Sequence, residues 1–242
     1  MIRIKYFLFV LLSLSLVACQ LILPVRFINH EKPNLTVDDS PFSKEGCTQD
    51  QYGWYECNET APLYKLGCAK FRADPLLGGL QPEYPVVNCL FTFSVYEEPW
   101  PVQDSECFYI DGGFIQSCSR LVIFKDGKHQ LIHNAEELRS IYAPVTSQEE
   151  ALGFAWIAQI ADTYYGLTYN ANYIYEVKTM EDTYVESVDD DYIVHLFDYE
   201  LFGCGPHYTY AVAVLVTSDG NVYEISREPV YRDPSEDDLC VD

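Results

Sequence analysis

Nine cysteines in a 242-residue chain limit what it can become more than any other feature. Cys19 stands apart at the end of an apolar run, while Cys47, Cys57, Cys68, Cys89, Cys107, Cys118, Cys204 and Cys240 are spread over the remainder. An even set of eight in an exported chain implies four disulfides, which persist only in an oxidising compartment. Their connectivity does not follow from spacing alone. Chain proximity favours Cys107–Cys118 and Cys204–Cys240, leaving Cys47, Cys57, Cys68 and Cys89 to pair among themselves. The competing reading is a metal site. The sequence has no Cys-x-x-Cys and no zinc-ribbon or zinc-finger spacing, so neither metal nor cofactor is expected.

Export itself is read from the first residues. Arg3 and Lys5 precede an apolar stretch, Phe7 to Val17, interrupted only by Ser13 and Ser15. Such a run suits a signal peptide and is too short for a hydrocarbon layer of ~30 Å. It closes on Leu16-Val17-Ala18-Cys19, which resembles the lipobox of bacterial lipoproteins. The resemblance implies cleavage before Cys19, acylation of that cysteine (palmitate among the chains) and anchoring of residues 19–242 to a membrane. Several acyl chains on one residue hold firmly where one does not. Gln20 is not the aspartate that resembles an inner-membrane retention signal, so in a didermic host the outer membrane is expected.

The formal net charge of -22 comes from 37 acidic and 15 basic residues, and loss of Arg3 and Lys5 with the leader takes it to about -24. This excludes nucleic acid as a partner and a basic patch as the means of membrane adhesion. With 48% hydrophobic residues the chain is nonetheless rich enough in apolar groups to build a core.

Four segments are expected. Residues 1–18 form the signal peptide, and 19–46, with Pro24, Pro33 and Pro41, a lipid-anchored flexible tether. Residues 47–120 are a loop-rich, cysteine-stapled region with turns at Asp74-Pro75, Gly78-Gly79, Glu98-Pro99 and Asp111-Gly112-Gly113, and short strands near 89–96 and 107–110. Residues 121–242 form an α+β domain with an acidic tail. Its pattern begins with a hairpin, Arg120 to Phe124 and His129 to Ile132, around Asp126-Gly127. Asn134 with Glu137, and Ser147 with Glu150, have capping-box spacing and open two helices. In the second, Leu152, Ala155, Trp156 and Ile160 recur at helical spacing. Strands follow at 167–177, 183–188, 192–199, 208–217 and 222–226. The fold class is therefore α+β: a helix packed on a curved antiparallel sheet, preceded by the disulfide-stapled region.

Ser147, Glu149, Glu150, Ala151 and Leu152, followed by Val212, Val214, Asp219, Gly220 and Val222, resemble the helix and strand-turn-strand signature of PepSY-like and other cystatin-like envelope domains. The likeness covers roughly residues 145–228 and departs from a short PepSY unit by the cysteine-bearing insertion between Tyr199 and Tyr208. It implies a binding or inhibitory module and transfers no site residue.

Phe202-Gly203-Cys204-Gly205-Pro206-His207 is the most distinctive stretch. It reads either as a disulfide-pinned loop or as a Cys204 nucleophile or metal ligand with His207. Asp189-Asp190-Asp191, Glu236-Asp237-Asp238 and Glu181-Asp182 are either solvated turns or oxygen ligands for Ca²⁺. Among His30, His129, His133, His195 and His207 there is no His-Glu-x-x-His, and the chain has no Gly-x-Ser-x-Gly, P-loop or dinucleotide fingerprint. Tyr52-Gly53-Trp54-Tyr55 and Tyr164-Tyr165 suit a stacking platform for a glycan or protein, or strand packing. With no catalytic motif, the expectation is a non-catalytic, membrane-anchored cell-envelope lipoprotein that binds a protein or polymer. A carboxylate-using hydrolase and a Ca²⁺-dependent structural module are the alternatives.

Overall fold

A computed structural model of the chain describes residues 25–96, 102–103, 106–158 and 161–241. The lipobox with Cys19, the Glu98-Pro99 turn and Ile160 lie outside the described residues. In chain order the elements are β1 (Arg26–Ile28), β2 (Cys47–Gln49), β3 (Tyr55–Cys57), β4 (Lys70–Arg72), β5 (Val86–Ser94), β6 (Ile110–Gly112), β7 (Ile115–Lys125) and β8 (Lys128–Ile132). Then come α1 (Ala135–Tyr142), α2 (Gln148–Ala158), β9 (Ile174–Tyr175), β10 (Thr179–Glu181), β11 (Tyr184–Val188) and β12 (Asp191–Tyr199). The last are β13 (Gly203–Cys204), β14 (Tyr208–Val216), β15 (Val222–Arg232) and β16 (Cys240–Val241).

The fold is α+β and strand-rich. A seven-stranded sheet runs β2-β3-β4-β5-β7-β6, with β8 also paired to β7, and a five-stranded antiparallel sheet runs β11-β12-β14-β15-β9. β1 and β10 form a short parallel pair, and β13 and β16 an antiparallel one. The β7–β8 turn places Asp126 and Gly127 both at positive φ, as a tight hairpin of this sequence requires.

Helix α2 lies between the sheets. One side meets the 3-10 turn Pro75–Gly79, the other meets β11, β12, β14 and β15. Ala151, Leu152, Phe154, Ala155 and Ile157 join Leu121 and Ile123 of the first sheet and Val194, Val212 and Val214 of the second in one core. The expected amphipathic stripe is thus a helix buried on nearly every side. Its start follows the sequence signal: Glu150 N donates to Ser147 Oγ at 3.1 Å, and Thr146 N and Oγ1 donate to Glu150 Oε2 at 2.7 and 2.8 Å. The other face of the first sheet packs Phe42, Leu63, Phe71, Val87 and Val122 beside the cystines.

All eight candidate cysteines are bridged, as Cys47–Cys57, Cys68–Cys89, Cys107–Cys118 and Cys204–Cys240. The two pairs expected from proximity form, and the remaining four pair among themselves.

Three expectations need correction. Residues 25–46 are not a flexible tether in the structure: β1 pairs with β10, Phe42 is buried, and Pro41 O meets His129 Nε2 at 3.1 Å. Apolar Phe27, Val37 and Phe42 each find a core slot, which outweighs the proline-rich composition. Next, the boundary at 120/121 falls inside β7, whose alternating residues serve two cores. Leu121 and Ile123 face α2 while Val122 faces the cystine cluster, so no domain edge lies there. Finally, the strand expected over 167–177 shrinks to Ile174–Tyr175, because Asn170 turns the chain: its Oδ1 accepts from Asn172 N at 3.0 Å.

Candidate functional site

Among the described residues a cleft of about 560 Å³ opens where the two sheets meet, beyond the C-terminal end of α2. β6 supplies Asp111, and the chain after α2 supplies Asp162, whose backbone exchanges hydrogen bonds with Phe197 at 2.6 and 2.9 Å. The end of β12 and the segment after it supply Asp198, Tyr199, Glu200, Leu201 and Phe202; β14 adds Tyr210 and β15 adds Arg227. Sheet register explains part of this grouping. Asp198 stands opposite Tyr210 across the β12–β14 ladder, so both project to one face.

The charges are arranged unequally. Arg227 bonds Asp198 through Nη1 and Glu224 through Nη2 at 3.0 Å, and its guanidinium lies 5.7 Å from the Tyr210 ring centre. Glu200 Oε2 accepts from the Tyr210 hydroxyl at 2.8 Å, and Glu236 Oε2 from the Tyr199 hydroxyl at 2.6 Å. Asp162 differs. Partial loss of hydration raises its carboxyl above the usual aspartate value, Asp198 adds to this by repulsion, and Arg72 opposes it. Asp162 still faces solvent, which screens these charges. Leu201 and Phe202, 40% and 43% exposed, line the same cleft as an apolar rim beside the carboxylates.

The distinctive Phe202–His207 stretch contributes Phe202 to that rim. Cys204 is bonded to Cys240, which removes its thiol from the nucleophile and metal-ligand readings. Gly205 lets the chain pass close to Asp237, because a Cβ there would stand 2.4 Å from the Asp237 carbonyl oxygen. His207 is buried, with its ring nitrogens on two backbone carbonyl oxygens.

Other expected groups disperse. Asp189 lies in the β11–β12 turn, Asp191 Oδ1 accepts from Ser218 N at 2.8 Å, and Asp237 pairs with Arg232. Among the described residues no group of three or more His, Cys, Asp or Glu is placed to hold a metal ion. His133 pairs with Glu137 at the start of α1, at 3.0 Å. His30 and His195 both stack on the Tyr184 ring, at 4.6 and 4.1 Å between centroids. Of the aromatic candidates, Tyr52 is 71% exposed, Trp54 lies under Arg72, and Tyr55 stacks on Phe71. Tyr164 stacks on Phe197 at 4.9 Å and packs against the core on the second sheet, so the two motifs make no common platform.

Sequence reasoning did not single out Asp162, Asp198, Tyr199, Tyr210 or Arg227. Alternation in β12 and β14 was the available signal; it fixes a shared face without showing that Asp162 arrives beside it.

Comparison with protein-family models, with curated proteins and with solved structures found no match for this chain.

Proposed function

We propose that the chain is an exported, lipid-anchored, non-catalytic binding module of the cell envelope, whose cleft takes a cation-bearing segment of a protein or polymer. The observation that carries this reading is the cleft's composition. Asp111, Asp162 and Asp198 line one cleft with apolar Leu201 and Phe202, with Tyr199 and Tyr210, and with Arg227. Carboxylates with neighbouring aromatic faces recognise ammonium and guanidinium groups through charge-assisted hydrogen bonds and cation–π contact. A surface of net charge about -24 steers such partners toward it. The cleft is also built on fixed supports, since β13 and the Cys204–Cys240 bridge pin its rim. Four disulfides accord with an oxidising compartment, and the Cys19 lipobox with membrane attachment. The PepSY-like resemblance points the same way, toward binding rather than turnover.

The test is titration with labelled oligolysine and oligoglutamate at low and high salt. Oligolysine is expected to bind, more weakly at high salt, with affinity reduced about tenfold by Asp162→Asn combined with Phe202→Ser. Oligolysine binding unchanged by both substitutions contradicts the site assignment.

One observation favours a second reading, a carboxylate-using hydrolase. Asp198 is paired with Arg227 while Asp162 has no such partner among the described residues and its carboxyl is raised, an asymmetry suited to an acid and a base. Turnover of envelope glycans that Asp162→Asn abolishes would establish that reading over the binding one.

A further inference from the structure

His207 stands immediately before β14 and is 2% exposed. Its Nδ1 is 2.8 Å from the carbonyl oxygen of Glu200, and its Nε2 is 3.0 Å from that of Leu239. A carbonyl oxygen only accepts, so each contact needs an N–H on the ring. A neutral imidazole carries one such group and an imidazolium carries two. Both contacts are therefore satisfied only by the charged ring. In the neutral form one nitrogen lone pair faces an oxygen lone pair, and that contact must open.

The two carbonyls belong to different parts of the molecule. Glu200 begins the segment that continues through Leu201 and Phe202 along the cleft, and Leu239 precedes β16. Leu239 O also accepts from Gly205 N at 3.0 Å, so the same oxygen serves the loop and the ring. We infer that His207 is an imidazolium clamp fastening the Glu200–Phe202 rim to the C-terminal segment, and that loss of one ring proton loosens this rim. Its bearing on ligand capture rests on the cleft being the binding site, whereas the clamp itself does not.

The surroundings favour the charged ring. From β12 and its continuation, Tyr199 lies 6.3 Å away between ring centres and Glu200 contributes its carboxylate, which the Tyr210 hydroxyl of β14 also engages. From the tail comes Glu236, bonded by Tyr199, and beyond it Asp237, which already holds Arg232 of β15. The Leu239 and Glu200 carbonyls raise the ring above the ordinary histidine value, enclosure opposes them, and Glu236 and Glu200 add to the rise. A group raised on folding contributes stability that is complete below its unfolded value, about 6.5, and is lost as pH climbs through the folded value. The rim is thus fastened in mildly acidic medium and loosens toward alkaline pH.

The experiment is an NMR titration of the purified, disulfide-intact protein, following the His207 ring nitrogens and the amides of Gly203 and Gly205. His207→Gln assigns the ring signals. The expected result is two protonated ring nitrogens below the midpoint, a midpoint above 6.5, and both glycine amides shifting with that same midpoint. A neutral ring at pH 6, or glycine amides that do not follow the His207 midpoint, overturns the clamp. Because no ligand is present, failure of the cleft reading leaves this result untouched. His207→Gln serves only for assignment, so a variant that misfolds leaves the measurement on the unsubstituted protein decisive.

Discussion

Asp182 is fully enclosed, yet four donors converge on its carboxylate. Gly166 N and Leu167 N lie at 2.7 and 3.0 Å, Asn29 Nδ2 at 3.0 Å and His30 N at 3.2 Å. Burial pushes this carboxyl up, but the donors together outweigh it and hold it below the usual aspartate value. Its contribution to stability is therefore complete above about 3.9 and is lost as pH falls through the lower folded value. One side chain ties the exit of β1 and the Gly166 turn to the end of β10. Asp182→Asn keeps the shape but turns an amide N–H₂ toward backbone donors. We expect a loss of about 2–4 kcal/mol in urea unfolding and a flatter acid limb of the stability curve. An unchanged midpoint would show that the convergence carries no stability. In the sequence Asp182 was only half of an acidic pair, because nothing local reports a partner such as Asn29 more than 150 positions away.

Among the elements, α2 and the turn beneath it depend on backbone proximity. A Cβ on Gly79 would stand 2.3 Å from the Glu149 carbonyl oxygen, and one on Gly78 would stand 2.1 Å from that of Thr36. Neither glycine is needed for a positive φ; both let two other backbones approach the 3-10 turn. Gly79→Ala is expected to lower thermal and urea stability by about 1–3 kcal/mol through overpacking against the helix start. A variant as stable as the parent contradicts the close approach. Gly78-Gly79 was legible as a turn, but its second task depends on tertiary packing. Capping spacings, the Asp126-Gly127 hairpin and the alternation of β12 and β14 were legible because each is local chemistry. The length of β15 was not: the strand expected over 222–226 continues through Pro229 to Arg232, and among the described residues its outer edge meets β9 at Tyr231 and Arg232. That edge is guarded by bulges, by Pro229 and by charged Glu224, Arg227 and Glu228.

For the whole molecule, the cysteines and the charge describe a single arrangement. Three bridges staple the first sheet and its loops, and the fourth pins the cleft rim to the C-terminal segment. The core joins both sheets through α2, so the regions that composition separates fold together. Among the described residues no helix is long and apolar enough to cross a membrane. In the proposed arrangement attachment falls to the acylated Cys19, while an acidic body repelled by anionic headgroups faces outward with its cleft. The cleft escaped the sequence because its acids come from β6, the chain after α2 and β12, which only the fold unites. The most direct test is the intact mass of the protein extracted from membranes without reduction, after alkylation of any thiol. The account predicts a chain beginning at Cys19, carrying acyl groups, with eight oxidised cysteines and no alkyl adduct. A chain retaining residues 1–18, an unmodified Cys19 or several alkylated thiols would contradict it.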